Sequence, residues 1–307
     1  MTRGPMPTPR AWSPARFTVP LPAGHRFPIA KYAAIRDAVV SRGLLPATAI
    51  AEPDRAERWA LELIHTGAYV DSMLEGTLSP ADLRRLGFPW SPGLRERSLH
   101  TAQGTVEAAR DALESGLGMN LAGGTHHAFA DHGEGFCVFN DVAIAIRVLQ
   151  SEGRIVRAAV IDLDVHQGNG TARIFAEDAD VFTFSMHGEK NYPFHRETST
   201  LDLELPDGST DEPYLRALDE HLEPVLDRAA PELVFYLAGA DPYLHDRFGR
   251  LGLGIAGLRA RDRAVFRACR RRGLPIVLTL AGGYAHRLSD IVEIHAGTVA
   301  EALAAYG

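Results

Sequence analysis

Cysteine and long apolar runs are both scarce in this sequence. The 307-residue chain has two cysteines, Cys137 and Cys269, and neither lies in a Cys-x-x-Cys pair. Two cysteines cannot build a disulfide framework, so the composition predicts a reduced, cytoplasmic protein. Apolar runs such as Leu233–Ala238 are far shorter than the roughly 20 residues that cross a bilayer. Residues 1–22 hold six prolines and no apolar stretch, so we expect neither a signal peptide nor a membrane segment.

Basic charge is also in short supply. The chain has 32 basic residues against 39 acidic ones, a formal net charge of -7, and only Lys31 and Lys190 are lysines. Without an overall positive field, we expect no binding to nucleic acid. A mildly acidic surface would attract a basic peptide, so such a substrate is not excluded. The sequence gives no prediction of the oligomeric state.

Short apolar runs alternate with longer stretches of helical periodicity. The apolar runs predict buried strands at Ala158–Leu163, Val181–Phe184, Leu233–Leu237 and Pro275–Leu280. The helical pattern predicts helices at Arg55–His65, Ser98–Glu114, Asp141–Glu152, Tyr214–Arg228 and Leu258–Arg271. Such alternation is typical of a parallel sheet covered on both faces. We predict an α/β fold with an open, mostly parallel sheet in a single domain at residues 23–307, after an extended segment at residues 1–22.

Polar residues and glycines follow each of the four predicted strands. They occupy the segments Asp162–Gly170, Ser185–His187, Gly239–Asp241 and Gly282–His286. In an open α/β sheet, ligands bind beyond the carboxyl ends of the strands. The sequence therefore predicts one shared site at this edge of the sheet.

Three ionisable residues are spaced two apart at the end of the first of these strands. In an extended chain Asp162, Asp164 and His166 would share one face. Burying them is costly unless they share a cation, and aspartate and histidine both bind zinc. A solvated strand end is the less favoured alternative, because the preceding run is apolar and a tight loop, residues 168–170, follows.

Three other segments gain weight only in combination. Asp241 follows an apolar strand and is a candidate third metal ligand, although Asp-Pro is also a common turn opener. Two carboxylates and one imidazole would leave a coordination position open, as catalytic zinc sites do. His126 and His127 follow a glycine pair and can divide general acid and base roles. Tyr284 follows a second glycine pair, which allows a sharp turn towards the site.

Together with Gly135-Phe136-Cys137, these segments resemble the zinc-dependent histone deacetylases of the arginase–deacetylase superfamily. The resemblance extends from the His25-Arg26-Phe27-Pro28 segment to Tyr284, and the residues after Asp164 are most similar to class IV and its bacterial relatives. It implies one zinc ion per chain, held by Asp164, His166 and Asp241. It also implies that His126 and His127 form the active-site pair and that Tyr284 donates a hydrogen bond to the substrate carbonyl.

The resemblance implies further roles around this centre. Asp162 would orient His126, and Phe136 would form a wall of the acyl-lysine tunnel. Tyr192, in the segment His187–His195, is a candidate tunnel or rim residue. A structural monovalent cation, potassium, would be held by Asp162, Asp164, His166, Ser185 and Met186.

Asn169 departs from the class I pattern, in which an aspartate stands beside the second histidine. A carboxylate favours the imidazolium form, and an amide does so much less. We therefore expect an asymmetric pair, in which His126 is the more basic and His127 is neutral near pH 7 and able to act as the base.

The resemblance implies an amidohydrolase that removes an acetyl or longer acyl group from lysine through a metal-activated water. An acetylated polyamine or another small amide is the alternative substrate. An arginase-like site with two manganese ions is less favoured, because Gly168 and Asn169 stand where further aspartates would help. An inactive acyl-lysine binding module ranks lowest, since the proposed ligands, the histidine pair and the tyrosine are all present.

Overall fold

A single eight-stranded sheet organises the structure, a computed structural model in which residues 9–307 are described. Its strands are β1 (Ala11–Trp12), β2 (Ile50–Ala51), β3 (Leu117–Asn120), β4 (Ala158–Asp162), β5 (Val181–Gly188), β6 (Leu201–Leu205), β7 (Leu233–Leu237) and β8 (Ile276–Thr279). They lie in the order β2-β1-β3-β8-β7-β4-β5-β6, and every pair of neighbours is parallel. The predicted α/β fold is confirmed, with a wholly rather than mostly parallel sheet.

Ten helices accompany the sheet in the described part of the chain. They are α1 (Lys31–Ser41), α2 (Arg58–Glu62), α3 (Gly67–Glu75), α4 (Pro80–Leu86), α5 (Pro92–Ser115), α6 (Asp141–Ser151), α7 (Asn169–Ile174), α8 (Asp211–Ala229), α9 (Ile255–Arg271) and α10 (Leu288–Tyr306). Helices α1, α8, α9 and α10 share one apolar core, and α2, α3, α5 and α6 share the other. Side chains of β7 alternate between the two cores, with Tyr236 in the first and Phe235 in the second. The sheet is therefore buried on both faces, which explains the continuous apolar runs in the sequence.

The four predicted strands are all present, and two differences have clear causes. Strand β5 continues to Gly188, so Ser185–His187 lie inside the strand rather than after it. Strand β6 at the edge of the sheet is absent from the sequence prediction, which has no element at Leu201–Leu205. An edge strand needs only one apolar side, and β6 has the alternating sequence Leu-Asp-Leu-Glu-Leu. This alternation was the signal for the strand.

Part of the predicted N-terminal segment belongs to the sheet. Ala11–Trp12 form β1 between β2 and β3, and the Trp12 indole donates a hydrogen bond to Asp111 at 2.8 Å. Residues 1–8 lie outside the described residues, and the domain boundary at residue 22 stays a prediction. None of the helices between residues 9 and 307 combines the length and the apolar character needed to cross a membrane.

Candidate active site

The sheet brings the predicted site residues to one edge. Strands β8, β7 and β4 are neighbours, and Asp162, Leu237 and Thr279 lie side by side at their carboxyl ends. The loop after β4 carries Asp164 and His166, the loop after β7 carries Asp241, and the loop after β8 carries Tyr284. Because parallel strands end at the same edge, residues far apart in sequence meet there.

Asp164, His166 and Asp241 form a compact, buried cluster. One ligand atom from each lies within 4.8 Å of the other two. Nδ1 of His166 lies 3.0 Å from Oδ1 of Asp164 and 3.3 Å from Oδ2 of Asp241. Oδ2 of Asp241 is buried and has no hydrogen-bond partner among the described residues. A buried carboxylate oxygen left in this way is free to bind a cation.

The electrostatics of this cluster favour a bound positive charge. Burial by itself would lower the pKa of His166, but the carboxylates of Asp164 and Asp241 raise it to about 10. Gly282 leaves the room that these carboxylates occupy, because a Cβ there would lie 1.9 Å from Oδ2 of Asp241. Its N–H also donates to Oδ2 of Asp164 at 2.8 Å. Two carboxylates and one imidazole in this arrangement fit a zinc ion.

A buried arginine that the sequence analysis missed ties together the two loops of this cluster. Arg261 of α9 is completely buried, and its Nη1 donates to the carbonyl oxygens of Leu163 at 3.2 Å and Gly239 at 2.7 Å. These carbonyls lie one residue before Asp164 and two residues before Asp241. The charge of Arg261 is balanced by Asp262, whose Oδ1 lies 2.8 Å from Nε. Arg261 therefore helps to position the backbone that carries both Asp164 and Asp241.

The two histidines lie in different environments. Nδ1 of His126 is 2.6 Å from the carboxylate of Asp162, whereas Nδ1 of His127 is 2.7 Å from the amide oxygen of Asn169. Burial alone would lower the pKa of His126, but Asp162 and Asp164 raise it to about 9. Burial, followed by the neighbouring His126 and His166, lowers the pKa of His127 well below its ordinary value. These directions agree with the expected asymmetry of the pair.

The loop that carries Tyr284 is held from three sides. Its backbone N–H donates to Oδ2 of Asp246 at 2.6 Å, and its carbonyl oxygen accepts from Nε of Arg247 at 2.7 Å. On the inner side, Nζ of the buried Lys31 donates to the carbonyl oxygen of Ala281 at 3.1 Å. Neither Lys31 nor Arg247 was singled out in the sequence, because nothing local distinguishes them from other basic residues.

Aromatic residues form the walls of a cleft of about 590 Å³ above this centre. Phe136, Tyr192, Tyr284, His127 and His166 line it. The Tyr192 ring is 5.1 Å from the His127 ring, between centroids. Phe136 has φ of 67°, a left-handed conformation that costs a non-glycine residue roughly 1–2 kcal/mol. Strained residues of this kind cluster at functional sites.

Glu134, which no sequence motif indicates, supports a wall of the cleft from behind Tyr192. Its carboxylate accepts hydrogen bonds from the Tyr192 hydroxyl and from the amide nitrogen of Asn169. His132 lies on its other side, with Nε2 at 3.7 Å from Oε2. Glu134 thus connects a wall of the cleft with the residue beside His127.

The residues of the predicted monovalent-cation site come from the end of β4, the loop after it and the adjoining strand β5. Asp162 of β4 lies opposite Ser185 of β5, and Met186 follows in β5. Oδ1 of Asp162 accepts from the backbone N–H of Asp164 at 3.1 Å, and Oγ of Ser185 lies 2.9 Å from Nδ1 of His187. The assignment of potassium to Asp162, Asp164, His166, Ser185 and Met186 stays a prediction.

Comparison with known proteins identifies the family. A model of the histone deacetylase domain matches residues 25–299. The chain belongs to the histone deacetylase family of hydrolases. An uncharacterized protein of Picosynechococcus is 44% identical over 91% of this chain and 93% of its own length. Histone deacetylase 2 of Arabidopsis thaliana is 34% identical over 88% of this chain and 73% of its own length.

A solved structure shows the same fold. The crystal structure of an HDAC homologue complexed with SAHA superposes with a TM-score of 0.82, covering 96% of this chain and 84% of the other. The two chains share this fold at a sequence identity of 24%. The resemblance predicted from the sequence motifs is confirmed at the level of family and fold.

Proposed function

We propose that this protein is a zinc-dependent deacylase that hydrolyses the amide of acetyl-lysine or of a longer acyl-lysine. One observation carries the proposal: the Asp164–His166–Asp241 cluster and the two histidines with opposite pKa shifts lie together beneath an aromatic cleft. Family membership supports hydrolysis, and the aromatic walls of the cleft suit the apolar part of an acyl-lysine side chain.

Asp164, His166 and Asp241 would hold the zinc ion. When bound at such a site, zinc polarises a carbonyl oxygen and lowers the pKa of a water molecule towards about 7. The neighbouring N–H donor of Gly282 and the clamp by Arg261 keep the two carboxylates in place. These contacts reduce the movement of the two carboxylates that zinc binding would otherwise require.

His127 would act as the general base and then as the acid. Its depressed pKa leaves the imidazole neutral, so it can take the proton of the attacking water and return a proton to the leaving amine. His126, protonated beside Asp162, would supply a positive charge close to the reacting carbonyl. Tyr284 would donate its hydroxyl hydrogen to the carbonyl oxygen as negative charge develops there.

The test is amine release from a panel of amides, followed by mass spectrometry. The panel contains acetyl-, butyryl- and myristoyl-lysine peptides and an acetylated polyamine, each with zinc-loaded and chelator-treated protein. We expect turnover of an acyl-lysine peptide that chelation abolishes and zinc restores. The preferred member defines the acyl length and separates lysine from polyamine.

Metal analysis of the same preparations separates the remaining alternatives. One zinc ion per chain supports the proposal, whereas two metal ions per chain would support an arginase-like centre. Tight binding of an acyl-lysine peptide by zinc-loaded protein without any turnover would contradict the proposed deacylase and favour a binding module. The potassium ion, the cytoplasmic location and the lack of nucleic-acid partners stay predictions.

A further inference from the structure

The mouth of the cleft is basic although the chain as a whole is acidic. Six exposed basic residues line it: Arg26, Arg84, Arg85, Lys190, Arg247 and Arg250. The formal net charge of the protein is -7. The net charge of the chain is negative, whereas the surface that a substrate must pass carries a cluster of positive charges.

Half of this positive charge is uncompensated. Three of the six residues have a carboxylate nearby: Arg85 with Asp82 at 4.0 Å, Lys190 with Glu189 at 3.0 Å, and Arg250 with Asp207 at 3.3 Å. Arg26, Arg84 and Arg247 have no carboxylate within 4.0 Å among residues 9–307, so they present free charge to an incoming molecule.

Arg247 is also fixed in position. Its Nε donates to the carbonyl oxygen of Tyr284 at 2.7 Å, and its Nη2 donates to the carbonyl oxygen of Arg26 at 2.8 Å. Backbone oxygens thus hold the guanidinium beside the tyrosine without neutralising it. The remaining N–H groups of the guanidinium are still available to a ligand, and a fixed donor loses little entropy on binding.

Two carboxylates that contact residues lining the cleft, Glu134 and Asp246, are already hydrogen-bonded within the protein. Glu134 accepts hydrogen bonds from Tyr192 and Asn169, and Asp246 accepts from three backbone N–H groups, those of Phe248, Gly249 and Tyr284. These hydrogen bonds leave both carboxylates charged, but the two side chains are partly buried, whereas the arginines at the mouth are exposed. The two carboxylates do not cancel the arginines at the mouth.

From this arrangement we infer that the substrate is an acyl-lysine flanked by acidic residues. The inference rests on the proposed deacylase function. The acyl-lysine side chain would fill the cleft, so the residues on either side of it remain at the mouth, against Arg26, Arg84 and Arg247. Carboxylates there gain favourable contacts, whereas a basic peptide or an acetylated polyamine is repelled.

Three matched acetyl-lysine peptides test this inference. They have equal length and differ only in flanking residues, which are acidic, neutral or basic. We expect kcat/KM at low salt to fall in that order, with the acidic peptide on the order of tenfold above the basic one. The gap should narrow at 0.5 M salt, because exposed charges are screened over about 3–10 Å. An equal kcat/KM for all three, or a preference for the basic peptide, would overturn the inference.

Charge reversal at the mouth supplies the second arm. The double variant Arg26→Glu/Arg84→Glu changes two exposed residues and should shift the preference towards the basic peptide. Arg267→Glu is the matched control, since Arg267 is exposed on α9 and does not line the cleft. A preference for acidic flanks that survives the double variant, or changes equally in the control, would contradict a role for these arginines.

Binding distinguishes failure of this inference from failure of the proposed function. The same peptides, labelled with an uncharged fluorophore, are titrated with zinc-loaded protein and followed by anisotropy. Absence of turnover with all peptides would overturn the deacylase proposal, and the order of affinities would then decide the inference by itself. Tightest binding of the acidic peptide supports it, and any other order contradicts it.

Discussion

Glu134 accepts a hydrogen bond from the side-chain nitrogen of Asn169 at 3.1 Å and thereby sets which end of that amide faces His127. Burial alone would raise the pKa of Glu134, but the neighbouring His132 imidazole and the hydrogen bonds from Tyr192 and Asn169 lower it, so the group is an ionised acceptor. The amide oxygen must then point to Nδ1 of His127, 2.7 Å away. Nδ1 therefore carries the proton, and Nε2 keeps the lone pair that a base needs.

Replacing this carboxylate with an amide should weaken catalysis without emptying the site. In Glu134→Gln the new side chain can donate as well as accept, so the orientation of Asn169 is no longer fixed. We expect kcat to fall by roughly 10- to 100-fold, the usual effect of losing a residue that orients a catalytic group, with little change in KM. The control is Tyr192→Phe, which keeps the hydrogen bond between Glu134 and Asn169 and should act mainly on KM. Equal losses of kcat in both variants would contradict this role.

Tyr284→Phe should retain the metal and lose most turnover. The ring is preserved, and the loop is held through backbone contacts with Asp246 and Arg247 that do not involve the hydroxyl. Loss of one donor to a developing oxyanion typically costs on the order of 100- to 1,000-fold in kcat. Single-turnover rates and metal content of the purified variant provide the check. A variant as fast as the wild type would remove the hydroxyl from the mechanism.

Gly282→Ala should reduce metal affinity by filling the space of the carboxylates. The added Cβ would lie 1.9 Å from Oδ2 of Asp241 and 2.5 Å from Oδ2 of Asp164, so at least one ligand must move. We expect zinc affinity, measured by competition with a chromogenic chelator, to fall at least as far as the roughly 10- to 100-fold seen when a supporting residue is lost. Asp241→Ala should lower occupancy further.

Gly67→Ala is the matched control for that experiment. Its Cβ would meet only ordinary contacts, the nearest at 3.4 Å from Glu62, in the first turn of α3. Zinc affinity should not change there. Full zinc affinity in Gly282→Ala would reject the geometry of the cluster, and full occupancy in Asp241→Ala would reject that residue as a ligand.

His65 should make the fold sensitive to mild acid. Burial lowers its pKa from the ordinary value of 6.5 to about 4. Nδ1 lies 2.9 Å from the carbonyl oxygen of Phe129, and Nε2 accepts from the N–H of Asn140 at 3.0 Å, so the neutral ring is fully satisfied. Between pH 6.5 and 4, His65 is protonated in the unfolded chain but neutral in the folded chain. The free energy of unfolding therefore decreases as the pH falls through this window.

The decrease in the free energy of unfolding that is due to His65 should reach about 3 kcal/mol at most, since one pKa unit corresponds to about 1.4 kcal/mol. Urea unfolding of the wild type and of His65→Gln at several pH values measures this contribution as the difference between the two free energies of unfolding. Contributions from other groups are common to both proteins and cancel. The slope between pH 6.5 and 4 should be shallower in the variant. His245→Gln, at an exposed histidine, is the matched control for the substitution itself. An unchanged slope in His65→Gln would disprove the assignment.

The sequence predicts the centre of this protein better than its periphery. The four adjacent strands β8, β7, β4 and β5 contain the apolar runs that predict them, and Asp162, Asp164 and His166 follow at alternate positions from the end of β4. β1 and β2 have two residues each, too few for any periodicity to identify them. Their place in the sheet depends on tertiary pairing alone.

The supporting residues escaped prediction for a similar reason. Arg261 lies in an arginine-rich helix, where an arginine is expected on the solvated face, and only the packed structure shows that it is buried. Glu134 lies in a loop without a regular pattern. Net charge misleads in the same way, because it sums over the whole surface, whereas the sign that a substrate meets is set by a few residues such as Arg26 and Arg84.

The clamp formed by Arg261 has a consequence far from the cleft. One guanidinium on α9 holds the carbonyls of both Leu163 and Gly239, so the helix cannot move outward without releasing the loops that carry Asp164 and Asp241. A metal ion or substrate that binds only while both loops are held in place must therefore slow the local opening of α9. The rate of amide hydrogen exchange in the buried turns around Arg261 should therefore report, at a distance from the cleft, whether the site is occupied.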